Sequence, residues 1–138
     1  MYYIKLIMKN TIFKLTEYVY YFSLLVLLIL YLFPGSLIGY FLYGDLGQQP
    51  NLITNPIGTS INHLIFFSYI TLLVIIVRLR IKNFFTSYKV VLFISGILEI
   101  LHLIVPNRAF ELYDLIANLI GVVIILLFNS FVKWRKNF

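Results

Sequence analysis

Four long apolar runs, each closed by a basic or turn-forming break, constrain this chain more than any other feature. Residues 18–33 carry Ser23 as their one polar group besides tyrosines, and residues 61–77 carry Asn62 and His63 at their start. Residues 90–105 bear Ser95, Glu99 and His102 before Pro106, and residues 113–132 form the last run. A helix rises about 1.5 Å per residue, so runs of this length approach the roughly 30 Å hydrocarbon core of a bilayer. Composition agrees. The chain is 62% hydrophobic and 12% charged, against about 25% charged in soluble domains. With so few charges to cover so much apolar surface, lipid must be the solvent. The expectation is all-α: one integral membrane domain, 1–138, with four transmembrane helices at about 16–38, 61–77, 89–105 and 113–132. There is no cysteine, so disulfides and thiolate metal sites are excluded.

The breaks carry the topology. Pro34 and Gly35 interrupt the first run, but residues 37–43 continue it, which predicts a kinked or extended first helix. Residues 1–15 mix Lys5, Lys9 and Lys14 with aromatic and aliphatic groups, as an interfacial segment would. A cleaved signal peptide fits less well, because no small-x-small site follows and further spans do. Residues 44–60 hold Asp45, two Gln, two Asn, Pro50 and Pro56 and read as a long polar loop. With four crossings, one side holds Lys5, Lys9, Lys14, Arg78, Arg80, Lys82, Lys89, Lys133, Arg135 and Lys136, and the other only Arg108. That asymmetry predicts both termini in the cytoplasm. It also removes nucleic acid as an explanation of the net charge of +6. The cations bracket the spans, where anionic lipid head groups attract them.

The polar residues within the runs are the candidate site. Ser95, Glu99 and His102 share a helix face by spacing, as do Asp114, Asn118 and Gly121. A turn starting at Pro106 makes the two helices antiparallel neighbours, and His63 enters from the same side. Glu99, His102, Arg108, Asp114 and Asn118 are therefore the expected ligand-binding residues, with Glu99, Asp114 and His63 the candidates for acid–base work. Arg108 beside Glu99, Glu111 and Asp114 predicts an ion pair, or a grip on a phosphate or carboxylate. A plainer reading competes. Asn118 or Ser95 can serve as interhelical glue, and Asp114 is a favourable charge near a helix start. A mid-helix carboxyl such as Glu99 is costly glue. Glu99-x-x-His102 matches the spacing of carboxylate-bridged metal sites. That motif needs a second copy or more carboxylates, and only Asp114 and His63 are on offer. No metal and no cofactor is expected, and no Ser–His or Cys nucleophile stands out.

The order Gly96-x-x-Glu99-x-x-His102-x-x-x-Pro106-x-Arg108, then Tyr113-Asp114-x-x-x-Asn118-x-x-Gly121, resembles the signature of the VanZ-like membrane proteins. The family usually has Gln where His102 stands, and Asp-Lys where this chain has Thr59 and Ser60. The resemblance implies a bacterial inner-membrane protein of about four helices. The founding member is associated with resistance to the glycopeptide teicoplanin, which places the family in the cell envelope. Three functions are expected in turn. The first is a non-enzymatic protein binding an envelope lipid, glycan or glycopeptide-type ligand in an outer-leaflet polar pocket, with Arg108 as anion anchor. The second is an intramembrane enzyme using Glu99 or Asp114 as acid or base and Asn118 to polarise a lipid-linked or peptide substrate. The third is a helix-packing subunit with a membrane-protein partner.

Overall fold

The computed structural model describes residues 2–49 and 60–137, with side chains from residue 10 onward. The side chains of Lys5 and Lys9, and residues 50–59 of the polar loop, lie outside the described set. The described residues form five helices and no strand: α1 (Tyr2–Leu32), α2 (Leu37–Tyr43), α3 (Ser60–Arg78), α4 (Tyr88–Leu101) and α5 (Leu112–Arg135). Three are long and apolar enough to cross a membrane: Asn10–Leu32 within α1, then α3 and α5.

α1 runs without interruption through the segment expected to lie at the interface, since nothing between residues 2 and 32 breaks a helix. At its end the chain breaks where a kink was expected. Pro34 supplies no N–H, and Gly35 takes a left-handed φ of 88°, where a Cβ would meet the Leu46 carbonyl oxygen at 2.9 Å. Ser36 then restarts the chain as α2, its Oγ accepting the Gly39 N–H at 2.9 Å.

α4 is the main departure from the expected spans. Its 14 residues end at Leu101, giving about 21 Å of helix. Residues 102–105 continue only as successive turns, with His102 N donating to Glu99 O and Val105 N to Leu101 O. Glu99 thus sits in the last turn of α4, not at mid-helix.

Side-chain contacts give the directions. Tyr31 meets His63 while Ser23 meets Tyr69, so α1 and α3 are antiparallel. His63 meets Asn118 while Ser68 donates to Gly121 O, so α3 and α5 run parallel. Gly121 permits that approach: a Cβ there would lie 2.5 Å from Leu64 O and 3.2 Å from Ser68 N. The core between the helices is Tyr20, Leu27, Phe67, Ile70, Val74, Val77, Leu98 and Val122. Outside, Phe22, Phe41, Phe93, Leu127 and Phe128 are all more than 60% exposed, an apolar surface that water would not tolerate but lipid would.

The two ends of the bundle differ in chemistry. At one end the α3–α4 connection is tied down by Arg78 Nη1 to Thr86 O, Tyr20 OH to Phe85 O and Arg80 Nη2 to Asn10 Oδ1. At the other lie the C-termini of α1 and α4 and the N-termini of α3 and α5, and there the polar residues gather.

Candidate functional site

Four helix ends converge on one buried network. Glu99 and Asn118 are fully buried, His102 and Asp114 are 4% exposed, and Tyr31 is 8% exposed. Burial of this much polarity is tolerable only if the groups satisfy one another, and nearly all do.

Glu99 acts across the fold on α5. Its Oε1 accepts the Glu111 backbone N–H at 3.1 Å and lies 3.1 Å from His102 Nδ1. Glu111 is the N-cap of α5 and makes no side-chain cap of its own, so a carboxylate from α4 serves the positive end of α5 instead. His102 spans two acceptors, Glu99 Oε1 and the backbone oxygen of Tyr31 at 3.2 Å. Making both bonds at once requires hydrogen on both ring nitrogens, or a proton on Glu99. The His102 ring also stacks on Tyr31, 5.3 Å between centroids and 17° between planes.

Asp114 lies in the first turn of α5. Its Oδ1 accepts Ser60 Oγ–H at 2.5 Å, and its Oδ2 lies 3.4 Å from His63 Nε2. The other ring nitrogen, His63 Nδ1, is 2.7 Å from Tyr31 OH, 3.2 Å from Asn118 Oδ1 and 3.9 Å from Glu99 Oε2. Tyr31 OH donates to Asn118 Oδ1 at 2.9 Å. His63 is therefore held between two carboxylates, a phenol and an amide. Among the described residues, two buried polar atoms are left without a hydrogen bond: Glu99 Oε2 and Asn118 Nδ2.

Arg108 does not make the ion pair that its neighbours in sequence suggested. Among the described residues it is in no salt bridge with Glu99, Glu111 or Asp114. Asn107 takes a left-handed φ of 58°, a conformation asparagine accepts at little cost. The turn sends Arg108 back toward α1, where Nη2 donates to Leu30 O at 2.7 Å and Nε to Phe33 O at 3.5 Å. Leu30 O is a terminal carbonyl of α1 and Phe33 O lies just past its end, where no helical donor serves them. Burial draws the guanidinium down from its ordinary value, with the charge on Glu99 opposing the shift; it stays cationic at neutral pH. Nη1 is left with no acceptor among the described residues.

Beside this network is a cavity of about 100 Å³ between α1, α2, α3 and the α4–α5 connection. Arg108, His63, His102, Asn62, Gln49 and Ser36 line one part, and Leu27, Leu30, Leu37, Ile38 and Phe66 another. No carboxylate is among its described lining residues. Glu99, Asp114 and Asn118 stand behind the histidines.

The structure thus joins the sequence-derived candidates Glu99, His102, Asp114, Asn118 and His63 in one network and places Arg108 at the cavity. It adds Tyr31 and Ser60. Tyr31 lay unremarked in an apolar run; Ser60 gave a faint signal, three residues before His63 and so on its helix face. Ser95 stands apart, its hydroxyl bonded to Leu92 O of its own helix. Comparison with protein-family models, curated proteins and solved structures gave no match.

Proposed function

We propose that the chain is a multipass protein of the bacterial inner membrane whose cavity takes the anionic head group of an envelope amphiphile. One observation carries this reading: the cavity is lined by the Arg108 guanidinium, whose Nη1 makes no hydrogen bond among the described residues, has no acidic lining residue among those described, and is apolar on its other walls. Such a lining suits a phosphate or carboxylate on a lipid tail. In this reading α4, lengthened by its turns to Val105, makes a fourth crossing. Arg78, Arg80, Lys82, Lys89, Lys133, Arg135 and Lys136 then lie on the cytoplasmic side with both termini, and Arg108 lies in the outer leaflet. The resemblance to VanZ-like proteins supports the envelope setting. Direct acid–base work by Glu99 or Asp114 has less support, because neither lines the cavity.

Ile38 offers the cleanest test, since it lines the cavity yet is 43% exposed and supports no hydrogen-bond network. Ile38→Trp should fill the cavity and leave the fold intact. In native mass spectrometry with short-chain phosphatidylglycerol and phosphatidylcholine, the wild-type protein should retain the anionic lipid preferentially, and Ile38→Trp should lose that preference. Equal retention of both lipids by the wild type, or an unchanged preference in Ile38→Trp, would refute the assignment.

A further inference from the structure

The geometry points to a divalent transition-metal site formed by His63, Glu99 and Asp114, from three different helices. One imidazole nitrogen and one oxygen from each carboxylate lie within 4.8 Å of one another, with Glu99 and Asp114 buried and His63 largely so. The Glu99-x-x-His102 spacing is not what builds this cluster. His102 turns both nitrogens elsewhere, and its place is taken by His63 from α3.

Three observations make the cluster more than an acidic patch. First, each carboxylate is fixed through one oxygen only. Glu99 Oε1 is held by Glu111 N–H and His102, Asp114 Oδ1 by Ser60, and the second oxygen of each faces His63. Outer partners that orient ligating groups in this way are a regular feature of metal sites. Second, Glu99 Oε2 is fully buried, faces His63 Nδ1 and has no hydrogen-bond partner; a buried anionic oxygen is costly to leave so. Third, one ligand pair already has the spacing of a loaded site. Ligands about 2.1 Å from one tetrahedral ion lie about 3.4 Å apart. His63 Nε2 is already 3.4 Å from Asp114 Oδ2, and a Glu99 oxygen completes a set of three ligand atoms within 4.8 Å of one another. One imidazole with two carboxylates is a donor set for Zn²⁺ or Mn²⁺. A divalent ion would satisfy the orphaned Glu99 Oε2 without drawing Arg108 away from α1.

The test uses the full-length protein in detergent, stripped with EDTA and then equilibrated with Zn²⁺ or Mn²⁺ and analysed for bound metal. The wild type should hold one ion per chain. Glu99→Gln, which keeps an acceptor for Glu111 N–H, and Asp114→Asn should weaken binding about tenfold or more, while Glu111→Gln should not. Metal uptake well below one per chain, or Glu99→Gln binding as tightly as wild type, would overturn the site. If both variants fail to fold, Co²⁺ added to the wild type decides. Visible bands of a four- or five-coordinate nitrogen–oxygen site support it, and the spectrum of the aqueous ion refutes it. The readout is bound metal, so it is independent of what occupies the neighbouring cavity.

Discussion

Glu99→Ala should destabilise the bundle by about 3–5 kcal/mol, the range for removing one partner of a buried charged pair. The change strips the acceptor from Glu111 N–H and from His102 together, so α5 loses its cap while an imidazole is left with an unpaired nitrogen. Proteins are stable by only about 5–15 kcal/mol, so the loss should appear as a large fall in detergent melting temperature. Glu99→Gln retains an oxygen at Oε1 and should cost far less, about 1 kcal/mol, as for an ordinary hydrogen bond made weaker. If Glu99→Ala melts with the wild type, the carboxylate does not join α4 to α5.

Arg108→Gln should show the second large effect, on binding. A charge-assisted hydrogen bond contributes about 1.5–3 kcal/mol, so affinity for a phosphatidylglycerol head group should fall about tenfold or more. Because Arg108 also donates to Leu30 O and Phe33 O, some stability should go with it. Arg108→Lys separates the two roles. It keeps the charge but cannot reach both carbonyls and the cavity at once, so it should recover part of the lipid preference with little of the stability. Binding of the anionic lipid by folded Arg108→Gln at wild-type affinity would remove Arg108 from the site.

The long helices were legible because lipid imposes a simple demand: enough apolar residues in a row to satisfy the backbone internally. The same rule misplaced the end of α4. Residues 102–105 are as apolar as a span requires, but hydropathy is blind to the His102 side chain bonding to Glu99 Oε1 and Tyr31 O where the helix gives way to turns. It also stopped short on α1, where Lys5, Lys9 and Lys14 suggested an interfacial segment although no residue there interrupts a helix. Spacing brought Glu99, His102, Asp114 and Asn118 onto two faces, and chain order put His63 at the same end. It could not assign Arg108 its partners, since backbone carbonyls carry no sequence signature. Nor could it single out Tyr31, one tyrosine among 11, whose role at the junction of His63, Asn118 and His102 depends on three other helices meeting its hydroxyl, ring and carbonyl. Much of the network is scaffold by this accounting: Glu99 caps α5, while Arg108 and His102 cap α1. What scaffold alone leaves unexplained is the cavity that Arg108 lines, with its Nη1 bonded to none of the described residues.

The cavity is therefore the place to measure. The decisive experiment is a cryo-electron-microscopy structure of the protein in nanodiscs of native lipid. Head-group density should lie within hydrogen-bonding distance of Arg108 Nη1 and beside the His63 ring, with a tail leaving past Ile38 and Phe66. A cavity holding only water, or Nη1 turned onto a carboxylate of the protein, would contradict the head-group assignment.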